Sequence, residues 1–434
     1  MRSKLVKGTL ILTIAGFLSR ILGFGYKLFL SQYLGSELLG IYQLIFPVYG
    51  ICFTLYGSGI QTAISKVVSE YQKRNKALIP SILSCGMMLS ILLATLCSLI
   101  LFFFSEPIAI HFLKEPRCES LVKVLSFTFP ACSLSACING FYFGQTKTKH
   151  PAIAQLIEQV SRIAFTLAAC FLFTQKYTQE ACDIAVFAIA IGEITAMLYN
   201  VMTLCHKSKQ QPKKREKGQS LLFLRKILSF SIPLTCTHFS VSILHALENI
   251  LIPLLLQTHG FSSSNALSLY GILTGMTLPL LLFPSTIFNS ISVLLLPSIS
   301  QANATKQHGY IKKAISTTLY SCLLTGIGTS AFFCILGKFL GNLLFHNTLA
   351  GTYLSQLSFI CPMLYLNAMF ASILNGLDKT TITFRNTTCS LLLRIALFYF
   401  LIPNLGIAGY FVSMLTSELF STCFHWISLR PYRI

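Results

Sequence analysis

Apolar windows recur from one end of the chain to the other, separated by short polar segments. Each is about twenty residues long, the length an α-helix needs to cross a bilayer. The spans read as 8–31, 39–63, 79–104, 121–144, 152–174, 183–205, 227–256, 268–296, 314–337, 354–376, 382–403 and 405–427. The pattern therefore predicts an all-α polytopic membrane protein of about twelve transmembrane helices. Span 268–296 holds Pro279 and Pro284 and should be kinked. The first span opens on MRSKLVK like a signal peptide, but no small-residue cleavage site follows, so it is read as a retained membrane helix.

Composition agrees: 54% of the 434 residues are hydrophobic and 11% charged, with a mean hydropathy of +0.69. A soluble surface of this size needs more charge. The net charge of +20 raises nucleic acid as a partner, but the distribution excludes it. With the N-terminus inside, the inner segments carry 24 lysines and arginines, the outer loops five and the spans four. This is the positive-inside asymmetry, and it predicts both termini in the cytoplasm of a cell-membrane protein. The densest run, HKSKQQPKKREKGQ (206–219), falls in an expected linker, 206–226, between six-helix bundles at 1–205 and 227–434. It is read as a solvated linker or a contact for anionic membrane lipid. The fifteen cysteines include no CxxC and the nine histidines no HExxH, so neither a metal nor another cofactor is expected.

The segment LSFTFPACSLSACINGFYFGQTKTKHPAIAQLIEQVSRIA from Leu125 repeats, without a gap, as LSFICPMLYLNAMFASILNGLDKTTITFRNTTCSLLLRIA from Leu357. At this offset of 232, Pro130 matches Pro362, Gly144 matches Gly376, Lys147 matches Lys379 and Arg162 matches Arg394. A weaker echo sets DIAVF (183–187) against GIAGY (406–410), each followed by an intramembrane acid, Glu193 or Glu418. Six helices plus six, both starting inside, form a parallel repeat. Such a repeat suits a substrate cavity between two bundles and alternating access, so transport leads over catalysis. One copy is complete, and a monomer is the expected working form.

Charges inside the spans are the candidate chemistry, because each costs about 2.5–3.5 kcal/mol to insert at mid-bilayer. Arg20 and Lys27 are seven residues apart and share a helix side with Gly16 and Gly23. Lys27 can snorkel to headgroups and Arg20 can enter a salt bridge; alternatively, both receive an anionic group. Gln155, Glu158, Gln159 and Arg162 form one stripe, in which Glu158 and Arg162 have the favourable order for a pair. That pair is either permanently neutral or opened by a competing substrate or ion. The seventh helix aligns His238, Ser242, His245 and Asn249, with Glu248 adjacent. Glu248, Glu193, Glu418 and Arg394 are read as a coupling set, a cavity lining or plain helix–helix partners.

The runs SRILGFGYKLFLSQYLGSELLGIYQLIFPVYG, SGIQTAISKVVSEY (58–71), YGILTGMTLPLLLFPSTI (270–287) and LLLPSISQA (294–302) resemble the stage V sporulation protein B group. This is the polysaccharide-export branch of the multidrug/oligosaccharidyl-lipid/polysaccharide exporter superfamily, which also holds the multidrug extrusion transporters and the lipid II flippase. The resemblance covers nearly the whole chain in order. It implies a flippase for an undecaprenyl-pyrophosphate-linked saccharide, such as a cell-wall, spore-cortex or polysaccharide precursor. It also implies a cationic cavity with an arginine on the first helix, a place Arg20 matches by motif, and Lys27 matches the group's Gly-Phe-x-Tyr-basic pattern. Where the lipid II flippases carry arginine, one residue before Lys27, this chain has Tyr26. Members of the sporulation group generally have two further C-terminal helices beyond the twelve read here. Coupling to membrane potential, Na⁺ or H⁺ is left open. The rival readings are a cation-coupled drug antiporter of the same superfamily and a membrane glycosyltransferase or polymerase. The longest outer connection, 105–120, is short for a catalytic loop.

Overall fold

The computed structural model describes residues 2–173, 175–208 and 220–432, and among these no strand occurs. The densest part of the basic linker lies outside them. Ten described helices are long and apolar enough to cross a membrane, and eleven when two helices bent by 47° are joined as one span. The first of the ten runs 62 residues, 11–72. At 1.5 Å per residue that is ~93 Å, about three hydrocarbon thicknesses. It contains two of the expected spans, parted at Gly35, whose φ of 75° and ψ of 178° no helix admits. Glycine reaches this conformation without a Cβ penalty, so the chain turns while helix resumes at once. Residues 32–38, expected as an outer loop, are consequently helical.

The chain forms two compact units. The first comprises residues 1–26 and 44–246, the second 27–43 and 247–434. Helix α1 (Arg2–Leu44) thus passes from the first unit into the second after Tyr26.

In the first unit, α2 (Phe46–Phe53), one wide π-type turn and α3 (Gly59–Arg74) form the next span. They are followed by α4 (Ile79–Phe103), the short α5 (Ser105–Pro107), the bent pair α6 (Cys118–Ser126) and α7 (Phe129–Gly144), α8 (Lys149–Phe173) and α9 (Gln179–Ser208). The first part of α10 (Ser220–Thr258) completes it. Its core joins Ile64, Val67 and Val68 of α3 to Ile82 of α4, Ile138 and Tyr142 of α7, and Ile227 of α10. Lipid gives helices no hydrophobic reason to associate, so close backbone approach must do so. A Cβ on Gly140 would stand 2.5 Å from Gln61 O, and one on Gly144 2.6 Å from Ser65 O.

The second unit takes the rest of α1 and α10, then α11 (Ser263–Gly271), α12 (Leu278–Leu282) and α13 (Ser285–Ala304). The break before α13 falls at Pro284, within the span expected to kink. It continues with α14 (His308–Phe345), α15 (Thr348–Leu357), α16 (Cys361–Gly376), α17 (Thr380–Leu405) and α18 (Ile407–Ser428).

The repeat seen in the sequence is present in the backbone of each unit and extends beyond the matching residues. Ser98 donates to Ser126 O at 2.7 Å; at offset 232, Ser330 donates to Ser358 O at 2.6 Å. Left-handed turns recur at Lys114 (φ 57°) and His346 (52°), and again at Thr146 (58°) and Asp378 (59°). After the second turn, Lys147 N bonds Tyr142 O and Lys379 N bonds Leu374 O, both at 2.9 Å. None of these four turn residues is glycine, so the turns are held by their surroundings rather than by local preference.

Candidate functional site

In the first unit the charged groups collect around α8. Arg162 Nη2 bonds Glu158 Oε1 at 2.5 Å, one turn apart, with the side chains 15% and 21% exposed. Gly192 of α9 lies against this turn, where a Cβ would meet Glu158 O at 2.9 Å and Arg162 Cβ at 3.3 Å. The next residue, Glu193, is buried and accepts a hydrogen bond from Tyr49 Oη at 3.1 Å. Tyr49 Oη also meets Cys132 Sγ at 3.4 Å. Glu193 thus lies close to the Glu158–Arg162 pair, on the neighbouring helix.

Helix α1 runs beside the same stripe. A Cβ on Gly23 would stand 3.8 Å from Gln159 Oε1, and Tyr26 Oη meets Thr166 Oγ1 at 3.1 Å. Arg20, three residues before Gly23, is exposed. Lys27 is partly buried and begins the second unit's share of α1. Among the described residues, neither cation has a carboxylate within ion-pair distance.

In the second unit Arg394 of α17 is the centre. Its Nη1 bonds Glu248 Oε1 of α10 at 3.0 Å, its Nη2 bonds Glu418 Oε1 of α18 at 2.5 Å, and its Nε donates to Ser417 Oγ at 2.7 Å. The network continues outward. Asn367 Nδ2 of α16 donates to Glu418 Oε2 at 2.6 Å, Thr422 Oγ1 donates to Asn367 Oδ1 at 3.0 Å, and buried His425 places Nδ1 3.5 Å from the same oxygen. All three ionised groups are buried or nearly so, which makes the satisfied geometry a condition of their stability.

The ten candidate residues thus divide. Glu158, Arg162 and Glu193 come together in the first unit; Glu248, Arg394 and Glu418 come together in the second. Asn249 accepts from Tyr270 Oη at 3.1 Å, while His245 is exposed on α10. Of the seventh helix's polar face, His238 also finds a partner, Ser58 Oγ at 3.1 Å. Tyr49, Cys132, Asn367, Ser417, Thr422 and His425 were not anticipated. For part of this set a signal exists: Glu418, Thr422 and His425 recur at i, i+4 and i+7, one polar face of a span. For Tyr49 there is none, since FPVYGICF shows no polar period. Among the described residues no three His, Cys, Asp or Glu side chains converge to hold a metal ion.

Comparison with known proteins places the chain among membrane proteins of related fold. The family model described as polysaccharide biosynthesis protein matches residues 5–303. Stage V sporulation protein B of Bacillus subtilis (strain 168) is 25% identical over 434 residues, covering 97% of this chain and 82% of that protein. The solved inward closed conformation of lipid II flippase MurJ superposes with a TM-score of 0.74 at 17% identity, over 97% of this chain and 87% of that one. An inward-facing multidrug resistance transporter of the MATE family gives 0.72 at 12% identity, over 96% and 95%.

Proposed function

The chain belongs to the polysaccharide biosynthesis protein family, and from that premise we propose that this multi-pass membrane protein is a flippase. Its substrate is a polyprenyl-pyrophosphate-linked saccharide, moved from the inner to the outer leaflet by alternating access. The relatives named for sporulation and for lipid II flipping support the class. The observation that carries the substrate chemistry is a contrast among the cations within the spans. Arg162 and Arg394 are neutralised by carboxylates, whereas Arg20 and Lys27 on α1 have none among the described residues. A sugar and its pyrophosphate cannot enter hydrocarbon unaided, while the polyprenyl tail needs no help there. Two unneutralised cations lower that barrier by receiving the phosphates, with arginine adding a bidentate fork.

In this reading Glu158 releases Arg162 when the pyrophosphate competes for it. Glu193, held by Tyr49 Oη, lies near the vacated place. Glu248, Arg394 and Glu418, with Asn249 and His245 on α10, belong to the coupling to membrane potential, Na⁺ or H⁺. Both termini face the cytoplasm, where the inner segments carry the positive charge, and one copy suffices.

The test is flipping in proteoliposomes with a short-chain polyprenyl-pyrophosphate saccharide, comparing the native chain with a double Arg20→Ala, Lys27→Ala variant. The double variant, inserted and folded, should lose at least tenfold in rate. Equal rates would make the two cations structural and remove the basis of the reading. A second reading, a cation-coupled drug antiporter, is favoured by one feature: Arg394 is paired with two carboxylates, one more than neutrality needs. Resistance to cationic dyes conferred on a sensitive host would select it.

A further inference from the structure

A cleft of about 680 Å³ lies between the C-terminal end of α14 and the start of α15. We infer that it is a headgroup site for an anionic glycerophospholipid of the surrounding bilayer, distinct from the substrate proposed above and independent of it.

The depth of the cleft is fixed by charge. Between Lys313 and Lys338, α14 has 24 residues without a charged side chain. These span ~36 Å, a little more than the hydrocarbon core. Lys338 therefore sits at the boundary of the hydrocarbon, and 339–345 lie at headgroup level.

The lining has two chemistries. Lys338 and Asn342 lie one turn apart on α14, His346 follows in the turn that ends it, and Thr348 and Thr352 line the cleft from α15. Phe339 and Leu343 complete the wall, 61% and 57% exposed, in line with Ile335 (77%) further down the helix. One cation and several hydrogen-bonding groups thus share the cleft with apolar side chains, and exposed Ile335 continues the apolar face below Lys338, where an acyl chain would lie. The walls are rigid because α14 and α15 touch through backbone at Gly341 and Gly351, where no Cβ could fit, and because α14 ends in the left-handed turn at His346. The volume is that of an ordinary small-ligand site.

Charge balance selects the lipid. The lining contains one lysine and no carboxylate. A phosphodiester, with a single negative charge, matches one ammonium; a pyrophosphate would leave charge uncompensated at the edge of the hydrocarbon. The Asn342 amide and the Thr348 hydroxyl suit the hydroxyls of a glycerol headgroup. Thr352 already donates to Thr348 O at 3.0 Å, so it offers its lone pairs.

The first unit supplies a control. At offset 232 the same positions hold Glu106, Ile110, Lys114, Pro116 and Ser120. The left-handed turn is conserved there at Lys114, yet the lysine is replaced by an acid, the amide by isoleucine, and Ser120 is bonded to Asp183 at 2.8 Å. The repeated backbone does not impose this lining; the second unit alone has it.

The experiment is native mass spectrometry of the full chain in detergent with equimolar phosphatidylglycerol and phosphatidylcholine. Phosphatidylglycerol should be retained at least fivefold over phosphatidylcholine. Lys338→Glu, a change at an exposed position, should abolish that preference, and Lys114→Glu should leave it intact. Millimolar glycerol phosphate should not displace the lipid. Equal retention of the two lipids, an unaltered preference in Lys338→Glu, displacement by glycerol phosphate, or stronger retention of a polyprenyl diphosphate would each overturn the inference.

Discussion

Arg162 in the first unit and Arg394 in the second occupy the same position of the repeat, yet their carboxylates come from different places. Arg162 takes Glu158 from its own helix, four residues back. The position equivalent to Glu158 is Ser390, which instead donates to Ser417 O at 2.8 Å. Arg394 takes its acids from α10 and α18, 146 and 24 residues away. A pair within one helix forms whatever the neighbours do and opens without moving a helix. A guanidinium held by two other helices ties three elements together, and opening it means separating them. The same residue has become a local, exchangeable pair in one unit and a cross-brace in the other.

Removing each arginine is the strongest way to break that comparison. Arg394→Met leaves Glu248 and Glu418 buried and uncompensated, which should cost about 3–5 kcal/mol. Arg162→Met leaves Glu158, 21% exposed, on a surface where water or a neighbouring group can serve it, and should cost about 1–2 kcal/mol. Thermal unfolding of both variants in one detergent measures the difference. Equal losses would show that Arg162 is a brace as well, and its proposed exchange with substrate would then be untenable. A stable Arg162→Met that no longer flips would sharpen the contrast.

A smaller effect tests how far the two units share their packing. Gly140 and Ser372 are equivalent, and each faces a carbonyl of a neighbouring helix, Gln61 O or Ser292 O. In the second unit the helices stand far enough apart for Ser372 Oγ to donate to Ser292 O at 2.6 Å. In the first they have closed until even a Cβ would be 2.5 Å from the oxygen. Gly140→Ser should therefore destabilise by about 2–3 kcal/mol through overpacking. Ser372→Gly should cost about 1 kcal/mol, the worth of a hydrogen bond, and the same thermal assay ranks them. A neutral Gly140→Ser would mean that the first unit can relax to the wider spacing.

How much of this was legible in the sequence follows from the range of each signal. The spans were, because hydrocarbon demands an unbroken apolar run, and so was the repeat, because Pro130, Gly144, Lys147 and Arg162 return at one offset. The Glu158–Arg162 pair was legible because i, i+4 is fixed by the helix. Arg394 was recognisable as a charge in need of a partner, but Glu418 was only one option and Glu248 was placed with the polar face of α10. Spacing carries no information on which helices meet. The turn at Gly35 was hidden for another reason: SQYLGSELLG reads as a loop, whereas one glycine lets the chain redirect with helix on both sides. Ser36 and Glu37 just after it are held by Ser268 at 2.6 Å and Ser264 at 2.6 Å, contacts no local pattern announces.

The finest distinction between the units lies in the repeated turn itself. Thr146 and Asp378 have the same left-handed backbone, φ 58° and 59°. A β-branched residue is a true outlier there, since its branch crowds the backbone, whereas aspartate is tolerated because its short polar side chain bonds locally. Glycine would relieve the crowding at Thr146 but would add freedom to the unfolded chain, an opposing effect of about 0.4–1 kcal/mol. Set against an αL cost of about 1–2 kcal/mol, Thr146→Gly should stabilise by about 0.5–1 kcal/mol. Asp378→Gly, with less strain to release, should be within about 0.5 kcal/mol of neutral. The comparison needs only the difference between the two unfolding temperatures. If Thr146→Gly is the less stable of the pair, its hydroxyl bond to Gln145 O at 2.6 Å outweighs the strain, and the turn in the first unit is held by that side chain rather than in spite of it.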